Sequence, residues 1–95
     1  MLHISLAHDE NTGILVGYCV STVTENKGEI DSIFIDPEYR KNGIGNSLMQ
    51  RALNWMNNNS VTRKTLNVGA GNDEVFEFYS RYRFYPYRII LEQVD

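Results

Sequence analysis

The chain has 95 residues, ordinary apolar and charged fractions and a formal net charge of −3, which fits one globular domain, residues 1–95, with a modest core. This charge argues against a general nucleic-acid-binding protein, which needs a basic face. One cysteine excludes an internal disulfide framework, and the two histidines lack the further ligands of a metal site. No apolar stretch is long enough to span a membrane and no leader peptide is recognisable, so we expect a cytoplasmic protein without a membrane partner.

The first third of the chain predicts three β-strands. Apolar residues alternate with polar or small ones over residues 2–6 and again over residues 14–20, and the turn residues 9–13 lie between them. This pattern is typical of a β-hairpin. A second turn, residues 25–28, leads into a third strand over residues 29–35. We therefore expect the sheet to begin with antiparallel pairs.

The rest of the chain predicts helices alternating with strands. Residues 43–57 carry apolar side chains at helical spacing, and residues 65–68 form a short apolar strand. Asn72 or Asp73 is suited to cap a second helix, and residues 84–91 are predicted to be extended. The predicted order is β-β-β-α-β-α-β. It describes an α/β (α+β) fold, with a mixed, mostly antiparallel sheet flanked by two helices.

The segment Asp36–Gly45, between the third strand and the first helix, is the most informative part of the sequence. A glycine loop that opens a helix presents bare backbone N–H groups, to which the helix dipole adds partial positive charge. Gly43 and Gly45 lack a Cβ, and Arg40 and Lys41 add full positive charges. These features predict a pyrophosphate pocket, and the alternative is a tight turn that only starts a helix.

Two motifs in this order resemble the GNAT superfamily of N-acetyltransferases. The spacing Arg-x-x-Gly-x-Gly from Arg40, right after a strand and Asp-Pro-Glu-Tyr, resembles its acetyl-CoA signature. Asn72 falls where these proteins carry an Asn after their fifth strand, and Phe78-Tyr79 and Phe84 match the helix that follows. The resemblance covers essentially the whole chain, and two motifs in order are more specific than either alone.

The resemblance implies a GNAT-like fold whose splayed strands hold acetyl-CoA as cosubstrate. The backbone of the third strand would pair with the pantetheine arm, the following loop and helix start would hold the pyrophosphate, and an Asn would bond the pantetheine. The cofactor-binding residues that it implies are Ile33, Phe34, Ile35, Arg40, Lys41, Asn42, Gly43, Ile44, Gly45, Asn46 and Asn72.

The reaction implied is direct attack of a primary amine of a small molecule or peptide on the thioester. Tyr79 would protonate the leaving thiolate or orient the sulfur, and a carboxylate would take a proton from the ammonium. Glu29 and Asp31 are the candidate bases, and alternation places both on one side of the strand, with Ile33 next along. The structural alternatives are solvent-facing carboxylates, a core position for Tyr79 and a simple helix cap for Asn72.

The sequence departs from the family pattern at three points. It is short, and lacks the N-terminal strand and two helices that help to enclose the acceptor site. This predicts a fragment, a natural short form, or an acceptor site completed by another subunit, and the sheet edge left uncovered favours a homodimer. Arg83 replaces the usual Gly before the final Phe, and Asn67 stands where many relatives that acetylate protein N-termini carry a Glu. Two alternatives to an enzyme remain: a CoA-binding module without turnover, and a scaffold subunit that has lost the ligand.

Overall fold

The computed structural model describes residues 1–69 and 75–95. Its elements, in chain order, are β1 (Leu2–His8), β2 (Leu15–Thr24), β3 (Lys27–Ile35), a 3₁₀ turn (Pro37–Tyr39), α1 (Ile44–Asn57), β4 (Arg63–Leu66) and α2 (Val75–Ser80). In the described ranges, no helix is both long enough and apolar enough to cross a membrane.

Four strands form one sheet in the order β1-β2-β3-β4. β1 with β2, and β2 with β3, pair antiparallel, whereas β3 and β4 pair parallel over Lys27–Ile30 and Arg63–Leu66. A parallel pair needs a crossover connection, and α1 lies in that connection. The predicted fold class, a mixed and mostly antiparallel sheet with two helices, is therefore confirmed.

The core lies between the sheet and α1. Apolar residues of α1 recur every three or four positions, so they form one stripe that faces the sheet. Met49 and Met56 are completely buried in it, and Cys19 and Ile30 meet it from β2 and β3. α2 packs on the same cluster through Phe78 and its neighbours. Both helices thus depend on one shared core, because α2 is too short to be stable alone.

A β-bulge in β3 changes which residues share a face. The register of β3 against β2 skips Asp31, so one extra residue enters this strand. Because a bulge shifts the alternation by one, Ile30 is buried and Ile33 and Ile35 pack against the same core cluster. The predicted alternation, which puts Glu29 on the same side of the strand as Ile33, is wrong for this reason: Glu29 is next to the buried Ile30 and so lies on the other face.

The end of α2 adopts a left-handed backbone conformation at Arg83. The Arg83 N–H donates to the Ser80 carbonyl at 3.0 Å, and the Phe84 N–H donates to the Tyr79 carbonyl at 3.2 Å. This is the bond pattern of a Schellman motif, whose turning residue is usually Gly, and Arg83 has φ 67°. The helix exit therefore keeps the geometry that favours Gly, although Arg occupies the position.

We expect Arg83→Gly to stabilise the protein. A non-glycine residue in this region costs about 1–2 kcal/mol, partly offset by the greater freedom of Gly in the unfolded chain, so the expected gain is about 1 kcal/mol. Urea unfolding would measure it. Arg83→Ala is the matched control, because it also removes the long side chain but keeps the Cβ, and it should bring no gain. Equal effects of the two substitutions would show that backbone strain is not the cause.

The last predicted element, a strand over residues 84–91, is not formed. Residues 84–95 carry no helix or strand, and the sheet described contains no fifth strand. A strand needs a neighbour to take its backbone hydrogen bonds, and Pro86 in this segment has no N–H to offer. The sequence pattern shows a segment suited to a strand but cannot show whether a partner is present. The large apolar side chains exposed here are Tyr85, Tyr87, Ile89, Ile90, Leu91 and Val94.

Candidate functional site

The second half of β3 has an open edge. Its pairing with β4 ends at Ile30 and Leu66, while its pairing with β2 continues to Ile35. In the described ranges, no strand lies beside residues 31–35 on the β4 side, and we call this stretch the open β3 edge. It contains Ile33, Phe34 and Ile35. Backbone groups on such an edge can pair with an extended ligand as with an added strand.

The loop that follows β3 is sharply turned. Asp36 starts the 3₁₀ turn, where its carboxylate accepts a hydrogen bond from the Glu38 N–H at 3.0 Å. Lys41 (φ 69°) and Gly43 (φ 80°) then adopt left-handed conformations, which Gly adopts freely and Lys only at a cost. Left-handed residues in a turn can bring successive N–H groups round one concavity. This geometry is the one expected of an anion-binding loop.

The N-terminus of α1 is left uncapped. Gly43 occupies the cap position without a side-chain hydrogen bond, and the first turn has no acidic residue. The Ser47 N–H donates to the Gly43 carbonyl at 3.0 Å, so the N–H groups of Ile44, Gly45 and Asn46 precede the first bond of the helix ladder. Arg40 and Lys41 are exposed beside this end. Free N–H groups, the helix dipole and two cations converge here, which suits a phosphate group.

The two glycines of the loop have different surroundings. A Cβ on Gly43 would meet no atom of residues 1–69 and 75–95 within 4 Å. A Cβ on Gly45 would lie 3.0 Å from Ile35 Cδ1 and 3.2 Å from Phe78 Cζ. Gly45 is buried, and its missing side chain lets α1 approach β3 and α2 closely. Packing therefore explains Gly45, whereas the missing side chain of Gly43 leaves the surface of the loop open.

Tyr79 lies on α2, half-buried against the core. Its ring packs edge-on against Phe78, with 5.2 Å between the ring centroids. Burial, with a smaller effect of the Cys19 thiol, raises the pKa of Tyr79 above its usual value. Cys19 pairs in the sheet with Ile33, so Tyr79 packs into the core near the level of the open β3 edge. A phenol that stays protonated at neutral pH can serve as a proton donor there.

The two candidate bases occupy different environments. Glu29 lies in the paired half of β3, where Asn67 Nδ2 donates to its carboxylate at 3.5 Å. Asp31 is the bulge residue and is exposed. The contact between Glu29 and Asn67 joins residues 38 apart and depends on the parallel pairing of β3 with β4. The sequence carries no local signal for it.

Two further contacts involve tyrosines that the sequence motifs do not assign to the site. Tyr82 Oη donates to Asn46 Oδ1 at 2.6 Å and so links the end of α2 to the first turn of α1. Tyr39 Oη donates to Asp9 Oδ2 at 2.6 Å. Tyr39 belongs to the quoted motif, but its partner lies in the first hairpin turn. Asn72, predicted to bind the cofactor, lies outside the described residues.

The comparison with family models agrees with this geometry. The model of the GNAT family of acetyltransferases matches residues 2–84. This chain belongs to the GNAT family. The resemblance found in the two sequence motifs is thereby confirmed.

Individual proteins are also similar to this GNAT chain. A Bacillus subtilis protein assigned as a [ribosomal protein bS18]-alanine N-acetyltransferase is 29% identical over 77 residues, which are 81% of this chain and 51% of that protein. A Pyrococcus furiosus structure described as an acetyltransferase superposes with a TM-score of 0.90 at 20% identity, covering 100% of this chain and 66% of the other. The PaiA N-acetyltransferase of Thermoplasma acidophilum, in complex with coenzyme A, gives 0.75 at 26% identity, covering 85% and 50%.

The chain thus spans about half the length of this curated relative. Family membership and the CoA-bound structure support acetyl-CoA as the cosubstrate of the GNAT site. They support acyl transfer in general and leave the amine acceptor open.

Proposed function

We propose that the chain transfers an acetyl group from acetyl-CoA to a primary amine of a small molecule or peptide. This proposal rests on three features that follow one another along the chain. The open β3 edge leads directly into the left-handed loop, and the loop leads into the uncapped end of α1. The pantetheine arm would add to Ile33, Phe34 and Ile35 as an extra strand. The pyrophosphate would then reach the N–H groups of residues 41–46 and the charge of Arg40.

The chemistry follows from these positions. The nitrogen lone pair of a neutral amine attacks the thioester carbon, and the carbonyl electrons move to the oxygen. An N–H of the open β3 edge stabilises this oxyanion. Attack leaves the nitrogen with an extra proton, which passes to water or to a carboxylate of β3. When the oxyanion collapses, the carbon–sulfur bond breaks, the amide forms, the thiolate takes a proton from Tyr79, and the phenolate regains a proton from solvent. The raised pKa of the half-buried phenol keeps its proton in place until the thiolate develops.

A carboxylate on β3 completes the proton path. Glu29 and Asp31 are the two candidates, acting directly or through a water molecule. Asn67 Nδ2 donates to the Glu29 carboxylate in a long, exposed hydrogen bond of 3.5 Å. Asp31 lies in the bulge, where the chain bends and the side chain is exposed. Either carboxylate would take the proton that the ammonium must lose before attack.

An exposed apolar face of the sheet supports a role for a second chain at the acceptor site. On the sheet face away from α1, Leu2, Ile4 and Leu6 are 53–62% exposed. A homodimer, or another subunit, would cover this apolar face and complete the acceptor site. The Bacillus subtilis relative is named for an alanine of a ribosomal protein, which makes a peptide amine one acceptor class to test. The second candidate function is a CoA-binding module without turnover of its own, in which the acceptor side is not completed by another chain.

A calorimetric titration with acetyl-CoA tests the proposal first, with the oligomeric state measured in the same buffer. We expect a micromolar dissociation constant, which corresponds to a binding free energy of about −8 kcal/mol. Release of free CoA thiol with a panel of amines and peptides then separates the enzyme from the binding module. No binding by a well-folded chain would overturn both candidate functions. Binding without thiol release by any acceptor would favour the module.

A further inference from the structure

The first hairpin turn, residues 9–13, is joined by one short hydrogen bond to the turn that leads into the left-handed loop. Tyr39 Oη donates to Asp9 Oδ2 at 2.6 Å, across 30 positions of sequence. This distance is typical of a hydroxyl that bonds an ionised carboxylate, which is stronger than a bond between neutral groups. The bond raises the pKa of Tyr39 and helps to lower that of Asp9.

Asp9 is a fixed acceptor. Its Oδ1 accepts the N–H groups of Asn11 at 2.7 Å and Thr12 at 3.1 Å, so the turn holds the carboxylate in one orientation. Its own backbone closes the turn, donating to the Ile14 carbonyl at 2.9 Å and accepting from the Gly13 N–H at 2.8 Å. The second oxygen is therefore left to point at Tyr39 from a rigid base.

Tyr39 stands at the entrance to the loop. Its N–H donates to the Asp36 carbonyl at 2.8 Å, and the Asp36 N–H donates to the Val16 carbonyl at 2.8 Å, which ties this turn to β2. Arg40 follows immediately, and then comes Lys41 with its left-handed backbone. A displacement of Tyr39 would therefore also displace the next residues of the loop, whose N–H groups would bind the phosphates.

A cavity shows that the hairpin turn and the loop face each other. Its volume is about 340 Å³, and it is lined by His8 and Glu10 on the hairpin side and by Asn42, Gly43 and Ser47 on the loop side. The hairpin therefore stands beside the loop over several residues, and the bond between Asp9 and Tyr39 fixes their spacing. A loop held before the ligand arrives loses less entropy on binding than a free one.

We propose that Asp9 and Tyr39 are positioning residues for acetyl-CoA. Their hydrogen bond holds residues 40–43 in the conformation that receives the pyrophosphate, and neither side chain needs to touch the ligand. This inference rests on the proposed function, since it concerns the same site. It predicts a selective effect: a weaker bond should reduce the affinity for the pyrophosphate part of the ligand and leave the pantetheine part unchanged.

Two ligands separate this role from a merely structural one. Acetyl-CoA contains the pyrophosphate, and S-acetylpantetheine lacks it. Dissociation constants of both would be measured by NMR titration, which reaches the millimolar range, for the wild type, Tyr39→Phe and Asp9→Asn. In the Asp9→Asn variant, the amide oxygen can still accept hydrogen bonds from the N–H groups of the turn. The phenol then faces a neutral amide and not a charged carboxylate. We expect both variants to bind acetyl-CoA about tenfold more weakly and S-acetylpantetheine unchanged.

The controls make each outcome decisive. Tyr85→Phe removes the same hydroxyl from an exposed tyrosine and should leave both affinities unchanged. An equal loss for both ligands in Tyr39→Phe would show a general structural effect and overturn the proposal. Unchanged acetyl-CoA binding in both variants would overturn it as well. Failure of the wild type to bind acetyl-CoA would instead contradict the proposed function.

Discussion

Gly45→Val should abolish detectable binding of acetyl-CoA. The new Cβ would lie 3.0 Å from Ile35 Cδ1 and 3.2 Å from Phe78 Cζ, and valine adds two methyl groups beyond it. Ile35 ends the open β3 edge, and Phe78 belongs to the helix that carries Tyr79. Relieving this overlap would push β3 and α2 away from the first turn of α1. We expect a loss of at least about 100-fold in affinity, because several ligand-binding segments shift together.

Calorimetric titration checks this effect, with circular dichroism to confirm that the variant is folded. Overpacking of this kind typically costs about 1–3 kcal/mol of stability, which a small domain can survive. Gly69→Val is the matched control, since a Cβ there meets no atom within 4 Å in the part of the chain that the structure describes, and it should bind normally. Gly45→Ala adds only the Cβ and should fall between the two. A folded Gly45→Val protein with unchanged affinity would contradict the assignment of this helix start to the binding site.

Local patterns made most of the fold predictable. The three strands and the long helix follow from apolar periodicity and turn residues, which depend on near neighbours in sequence. The fourth strand, predicted over residues 65–68, lies at Arg63–Leu66, so only its existence was predictable. The faces of β3 could not be predicted, because the bulge at Asp31 exists only in the register with β2. The prediction of a strand over residues 84–91 was wrong for a related reason. The composition of this segment suits a strand, but strand formation depends on a partner strand.

The candidate site divides in the same way. The loop and helix start could be placed from sequence, because Arg40, Gly43 and Gly45 lie in one continuous segment whose geometry is local. The partner of Tyr39 could not, because Asp9 looks like an ordinary turn residue until the hairpin folds against the loop. Arg83 shows a further limit of prediction from sequence. The family pattern has Gly at this position, and the structure keeps the left-handed turn although Arg replaces Gly.

Tyr79→Phe should slow acetyl transfer strongly and leave the affinity for acetyl-CoA almost unchanged. Phenylalanine keeps the ring and its edge-on contact with Phe78, so the packing of α2 is preserved. Only the proton donor is lost, and the thiolate must then leave unprotonated or take its proton from water. Loss of a general acid typically costs about 10²- to 10⁴-fold in rate. Steady-state kinetics with a saturating amine would show a lower kcat at a similar KM.

The pH profile distinguishes catalysis from packing. Because burial raises the pKa of Tyr79, its proton is present throughout the neutral range and is lost only above the usual tyrosine value of about 10. A rate that depends on this proton should therefore fall in strongly alkaline solution in the wild type, and Tyr79→Phe should lack that step. Tyr87→Phe, at a tyrosine 79% exposed, is the control and should behave as the wild type. If Tyr79→Phe keeps both the rate and the alkaline step, then Tyr79 is a core residue, and the thiolate takes its proton from another group or from water.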